Sequence, residues 1–246
     1  VAWCWKAGGS ASSNSEGSIT TSVSANTTSG FSIISYTGNA TAGATLGHGL
    51  SSAPKFILAK NRDDGVNAWA GYHVALGGTH RIFLNTSAAA QDDDGNWNDT
   101  NPSATVITLG NGEISNHTGE DFIMYAWAEV EGFSKFGSYT GNGSADGPFV
   151  YTGFRPAFVM TKRTNSTGDW RMQDTTRVPY NPFTGYLRAS TNEAELSGGA
   201  FDFLSNGFKI RNNDGEINAS GGAFIYMAYA EHPFQGADGV TQARAR

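Results

Sequence analysis

Two stretches of this 246-residue chain, about 100 positions apart, carry the same blocks in the same order, and that internal repeat limits the fold more than any other feature. Gly30-Phe31-Ser32 followed by Ser35-Tyr36-Thr37-Gly38-Asn39 recurs as Gly132-Phe133-Ser134 followed by Ser138-Tyr139-Thr140-Gly141-Asn142. Pro54-Lys55-Phe56-Ile57-Leu58-Ala59-Lys60 answers Pro156-Ala157-Phe158-Val159-Met160-Thr161-Lys162, and Trp69 answers Trp170. Near the end of each copy, Gly112-Glu113-Ile114 matches Gly215-Glu216-Ile217. There the run from Phe122 to Glu129 also matches the run from Phe224 to Glu231.

Each copy reads as short β-branched or aromatic runs bounded by Gly, Pro, Asn and Asp, which are strand and turn signals. The first copy predicts strands at 31–36, 55–60, 81–84, 105–109 and 122–128; the second predicts them at 133–139, 157–162, 186–188, 207–211 and 224–230. In the closing strand, Phe122, Met124, Ala126 and Ala128 alternate with Ile123, Tyr125, Trp127 and Glu129. Both faces carry bulk, so the strand should be central. The expectation is an all-β fold of two tandem, homologous antiparallel β-sandwich units of jelly-roll type, at 30–132 and 133–235. The 32 glycines and the wealth of Ser, Thr and Asn suit such a turn-rich fold.

Ahead of the first copy, Ala2-Trp3-Cys4-Trp5 has the small-aromatic pattern of Ala126-Trp127-Ala128. It is either the last strand of an upstream unit or a strand native to this N-terminus. From Gly8 to Ser29 the composition predicts a Ser/Gly/Asn/Thr-rich linker, so 1–29 reads as strand plus linker. Residues 236–246 read as a polar tail.

The formal net charge of −6 and the lack of any Lys/Arg run exclude the electrostatic footprint of a nucleic-acid binder. No apolar stretch reaches membrane-span length, so no membrane partner is expected. One cysteine, Cys4, rules out an internal disulfide framework. The eight Asn-x-Ser/Thr sequons are what chance gives in a chain so rich in these residues.

The blocks Ala2 to Gly9, Gly30-Phe31-Ser32, Pro54-Lys55-Phe56 and Ser138 to Gly143 resemble a repeated domain of unassigned function in tail-fibre-like virion proteins of bacteriophages. The resemblance covers nearly the whole chain. It implies a virion-surface (otherwise extracellular) location, other virion proteins as partners and a homotrimer, and it carries over no catalytic residues.

For sites, the most suggestive loop is Asp92-Asp93-Asp94-Gly95-Asn96-Trp97-Asn98-Asp99. Its crowded oxygens suggest calcium held by Asp92, Asp94 and Asn96, although the distal glutamate of a full calcium loop is missing. Otherwise no cofactor is expected. Aromatics among polar residues suit sugars, whose C–H faces stack on rings while amides and carboxylates take the hydroxyls. On that ground Trp97, Asn96, Asn98 and Asp99, with Tyr72 and His73, form the expected ligand site, and Trp97 should be exposed. Trp69 and Trp170, being equivalent, read better as core.

No catalytic set emerges. Glu129 and Glu231 are a possible carboxylate pair but stand in separate copies, so a backbone or Arg partner explains them better. The five histidines show no metal-ligand spacing. The expected function is therefore non-enzymatic: a tail-fibre or tailspike-type module adhering to host cell-surface polysaccharide. A capsid-decorating or spacer protein is the first alternative and a polysaccharide depolymerase the second.

Overall fold

A computed structural model describes residues 3–232. The chain is all-β, built among the described residues from antiparallel strands and three single-turn helices. It divides into two compact units. The first runs to Leu84 and resumes at Ala90–Glu129; the second takes Asn85–Ala89 and the chain from Val130 onward.

Unit 1 contains β1 (Ser12–Asn14), β2 (Thr21–Asn26), β3 (Phe31–Thr37), β4 (Ala44–Gly47), β5 (Phe56–Asn61), β6 (Ala70–His73), β7 (His80–Phe83), β8 (Gln91–Asp92), α1 (Asp94–Trp97), β9 (Val106–Leu109), α2 (Glu113–Asn116) and β10 (Asp121–Trp127). Eight strands form one sheet in the order β1-β2-β3-β10-β5-β6-β7-β8, and β4 pairs separately with β9. Strand alternation sends Phe122, Met124 and Ala126 of β10 inward with Ile34, Tyr36, Ile57, Ala59 and Tyr72. Leu46, Ile107 and Leu109 of the β4–β9 ladder close on the same core. On the other face of the sheet Phe31, Tyr125, Trp127 and Phe56 form a row of ring contacts at 5.2 to 6.3 Å. β10 is thus a central strand with bulk on both sides, as its sequence pattern predicts.

The stretch read as a linker contributes two strands to the sheet. β2 pairs with β3 and β1 with β2, with Ser13 opposite Ser22 and Ser22 opposite Ser35. Only Thr21, Val23 and Ser24 of β2 are buried, so a strand one place in from the sheet edge, rich in hydroxyl side chains, passes for a loop by composition. Trp3-Cys4-Trp5 is not a strand. Trp5 instead packs edge-on to Trp127 at 5.7 Å, which uses the aromatic pattern without a ladder. The tail at 236–246 lies outside the described residues.

Unit 2 contains β11 (Ser134–Thr140), β12 (Phe149–Tyr151), β13 (Pro156–Arg163), β14 (Arg171–Asp174), β15 (Phe183–Arg188), β16 (Leu196–Leu204), β17 (Gly207–Ile210), α3 (Gly215–Asn218) and β18 (Ala223–Ala230). These eight strands form a continuous antiparallel sheet, β11-β18-β13-β14-β15-β16-β17-β12. It folds back over its own inner face: Val159, Tyr226 and Ala228 share a core with Val150, Phe201, Phe203, Phe208 and Ile210. Lys162 draws Asn85–Ala89 into this unit, because its buried ammonium donates to the carbonyls of Ser87, Ala88 and Gly168 at 3.2, 2.8 and 2.6 Å.

The repeated Tyr-Thr-Gly-Asn blocks each build a latch. In unit 1 the Gly38 N–H donates to Glu120 O at 2.9 Å and the Asn39 N–H to Asn116 Oδ1 at 2.9 Å. The Asn116 amide donates to the carbonyls of Thr41 and Gly110 at 3.2 and 2.7 Å. In unit 2 the Gly141 N–H donates to Gly222 O at 2.9 Å and the Asn142 N–H to Asn218 Oδ1 at 2.8 Å. The Asn218 amide reaches the carbonyls of Ser144 and Asn212, each at 2.7 Å. A Cβ on Gly38 would sit 2.2 Å from the His117 carbonyl oxygen, and one on Gly141 2.3 Å from that of Ala219, so both positions require glycine. Asn116 and Asn218 are fully buried, which removes their sequons from any glycosylation argument.

Candidate functional site

The loop expected to bind sugar or calcium is a packed part of the core. Asp93 caps α1, accepting from the Asn96 N–H at 3.0 Å, and Arg81 pairs with Asp93 at 3.1 Å. The Gly112 N–H donates to Gly95 O at 2.8 Å, which pins the turn against α2. These restraints rotate Trp97 inward to 1% exposure, edge-on to Tyr72 at 6.0 Å. Trp97 is therefore a core residue rather than an exposed ring. Tyr72, His73 and Asn96 are buried with it, and the His73 Nδ1 accepts from the Ala75 N–H at 3.1 Å. Asn98 supplies the left-handed C-cap at φ 49°, and Asp99 is exposed beyond it, so the six expected ligand residues do not form one surface.

The three residues expected to hold calcium divide in the same way. Asp92 and Asp94 are exposed while Asn96 is buried. Among the described residues no group of three or more His, Cys, Asp or Glu side chains converges as a metal site. The turn residues became a capped helical turn because Asp93 found a backbone N–H and an arginine, which satisfies a carboxylate as a cation would.

Trp170 is 2% exposed and is core, as its repeat position suggested; Trp69 is half-buried and stacks on Tyr125 at 6.1 Å. Glu231 pairs with Arg155 at 2.8 Å, the arginine partner anticipated for it.

Exposed aromatic surface occurs elsewhere. On β12, Phe149 and Tyr151 are 45% and 63% exposed, while Val150 between them is buried. Alternation puts the two rings on one outer face at a sheet edge. Across the ladder Phe149 faces Lys209 and Tyr151 faces Gly207; beyond these stand Asp202 and Leu204 of β16. Gly207 leaves room for a ring, since a Cβ there would come within 3.0 Å of the Phe149 side chain. Lys209 donates to the Gly147 carbonyl at 2.8 Å and pairs with Asp146 at 2.8 Å. Arg211 pairs with Asp202 at 3.3 Å. The hydrogen bond from Lys209 holds the Asp146 carboxyl below the usual carboxylate range, so it is an ionised acceptor at neutral pH. The arrangement offers two apolar faces beside fixed donors and acceptors.

A family model described as a domain of unknown function (DUF7483) matches residues 1–233. The chain belongs to this family. No curated protein and no solved structure matches it. Membership in the DUF7483 family therefore brings no assigned chemistry, and the site has to be argued from its residues. Among the described residues no helix is long and apolar enough to cross a membrane.

Sequence reasoning missed the β12 pair because Gly147-Pro148-Phe149-Val150-Tyr151 is a short run that lies outside the repeated blocks. A signal was present. The ladder strand of unit 1, Ala44–Gly47, pairs with β9 much as β12 pairs with β17, yet it has no aromatic residue. Rings found in only one of two such strands are candidates for a purpose other than packing.

Proposed function

We propose that the chain is a virion-surface adhesion module of the tail-fibre or tailspike type, built from two homologous β-sandwich units, that binds host surface glycans through the β12 face. The observation that carries this reading is the pair of exposed rings, Phe149 and Tyr151, set on one face beside Lys209, Asp146, Asp202 and Arg211. A pyranose stacks its C–H face on such rings and directs its hydroxyls to ionised groups at the margin. The matching latches support descent of both units from one module. One shallow face per chain gives weak binding. A homotrimer held by other virion proteins would reinforce it through effective concentration, as adhesion requires.

The test is binding of the purified native oligomer to an array of bacterial surface polysaccharides, alongside the double variant Phe149→Ser, Tyr151→Ser. Binding by the natural chain that disappears in the variant supports the proposal. Absence of binding across the array, or binding that the variant retains in full, rejects it.

A further inference from the structure

Unit 1 has a concavity of about 360 Å³ on the outer face of its sheet, lined by Ser13, Ser22, Ser35, Thr37, Arg62 and Asp121 together with Thr20 and the backbone of the neighbouring strands. That volume is at the small end of the roughly 300–1,000 Å³ typical of ligand sites. Three of its hydroxyls form a rank. Ser13 pairs with Ser22 and Ser22 with Ser35, so the three side chains stand in line across β1, β2 and β3, about 4.8 Å apart as adjacent strands are.

The polar groups of this rank are unspent. Among the described residues the hydroxyls of Ser13, Thr20, Ser22 and Ser35 take no partner, and the exposed Arg62 guanidinium has none either. Arg62 is held in place by its backbone, whose N–H donates to Asp121 O at 2.8 Å. Asp121 is oriented from two sides: its Oδ1 accepts from the Thr37 hydroxyl at 2.8 Å, and its N–H donates to Asp63 Oδ2 at 2.7 Å. A positioned carboxylate, a free guanidinium and four free hydroxyls therefore face one small depression.

We infer that this concavity is a second binding site, separate from the β12 face, for a neutral sugar residue held by its hydroxyl groups. The charge balance selects the ligand class. The lining carries one cation, Arg62, and one carboxylate, Asp121, so an acidic sugar would meet the carboxylate and a cationic ligand would meet the guanidinium. A neutral polyol offends neither. The carboxylate accepts from its hydroxyls, the guanidinium donates to them, and the serine hydroxyls do both. The rings of Tyr36 and Phe122 are buried in the core, so no ring is available for stacking, and the sugar is bound by its edge.

The experiment is NMR titration of the isotope-labelled full chain with glucose, galactose and mannose, with glucuronate as the charged comparator. At least one neutral hexose should shift the amides of Ser13, Ser22 and Ser35, and glucuronate should bind less well. Arg62→Gln and Ser22→Val should each weaken that hexose roughly tenfold, the loss expected when a charged or well-placed hydrogen bond is removed. Arg62 is exposed and Val suits a strand, so both variants keep the fold. The double variant Phe149→Ser, Tyr151→Ser should leave these shifts unchanged. The inference is overturned if no neutral hexose moves these amides, if Arg62→Gln and Ser22→Val leave the affinity intact, if glucuronate binds more tightly, or if the β12 variant abolishes the shifts. Hexose shifts in unit 1 without polysaccharide adhesion would reject only the β12 proposal.

Discussion

The hydroxyl of Tyr36 donates to the backbone carbonyl of Ser115 at 2.6 Å, tying the inner face of β3 to the turn of α2 across 79 residues of sequence. The ring is 4% exposed, and burial pushes its hydroxyl far above the ordinary tyrosine range, so it remains a donor at any accessible pH. Tyr36→Phe should keep the stacking on Phe122 at 5.2 Å but strand a buried carbonyl, at about 1–2 kcal/mol. Denaturant titration of the variant checks this. Unchanged stability would mean that the latch is ornamental.

The same latch shows how far the sequence could be read. Its Tyr-Thr-Gly-Asn blocks were plain, and the ten strands expected within the two copies all overlap observed ones, whereas the strand expected at the N-terminus does not form over Trp3-Cys4-Trp5. Register was not legible. Gly30-Phe31-Ser32 matches Gly132-Phe133-Ser134 at a shift of 102. Yet Phe31 pairs with Trp127 and Ser134 pairs with Tyr229, so the backbone equivalence on this strand runs at 103. Likewise the Gly-Glu-Ile blocks match at 103, whereas Tyr36 bonds Ser115 and Tyr139 bonds Ile217, a shift of 102. One-residue slips exchange the faces of a strand, and only pairing reveals them. Sites depended on that hidden level. Trp97 looked exposed because its neighbours are polar, but those neighbours cap a turn that drives it inward.

For Trp97 the expected consequence is loss of stability rather than loss of ligand. Trp97→Ala removes a ring that is 1% exposed within the unit 1 core, a change of about 3–5 kcal/mol. Thermal melts should show a large drop, with Trp97→Phe less affected. A Trp97→Ala chain with natural stability would restore the exposed-ring reading.

On β12 the opposite pattern is expected. Tyr151 is 63% exposed and supports no core cluster, so Tyr151→Ser should alter stability by no more than about 0.5 kcal/mol. Paired measurements of unfolding and polysaccharide binding separate the two effects. A variant that loses several kcal/mol would assign the ring to packing.

Unit 2 buries polar side chains on a strand pair whose counterpart in unit 1 is apolar. Where unit 1 pairs Ala59 with Ala70 and Ile57 with Tyr72, unit 2 pairs Thr161 with Arg171 and Val159 with Gln173. Gln173 is fully buried, and neither its amide nitrogen nor its carbonyl oxygen meets a partner within the protein. Replacing an unspent buried amide by an apolar side chain of similar size removes a desolvation cost. Gln173→Met should be as stable as the natural chain or more so, by up to about 2 kcal/mol. Destabilisation on equilibrium unfolding would show that the amide is satisfied in solution.

His48 gives unit 1 a defined response to acid. The ring is fully buried; its Nδ1 accepts from the Leu50 N–H at 3.1 Å, and its Nε2 lies 3.3 Å from the Ser103 carbonyl oxygen. That pair of contacts needs the neutral ring protonated on Nε2, because a second proton on Nδ1 would face the Leu50 N–H. Burial lowers its pKa from the ordinary 6.5, against smaller opposing effects from the Ser103 carbonyl and the Glu16 charge. The unfolded chain takes up a proton near the ordinary value, and the folded chain only below it. Stability from this group is therefore complete above about pH 6.5 and falls as the solution is acidified. Melting temperatures of the natural chain and of His48→Asn, followed downward from neutral pH, isolate the effect. The gap between them should narrow on acidification, because the variant has no proton to take up at this position. A gap that stays constant through this range would show that His48 titrates alike in both states.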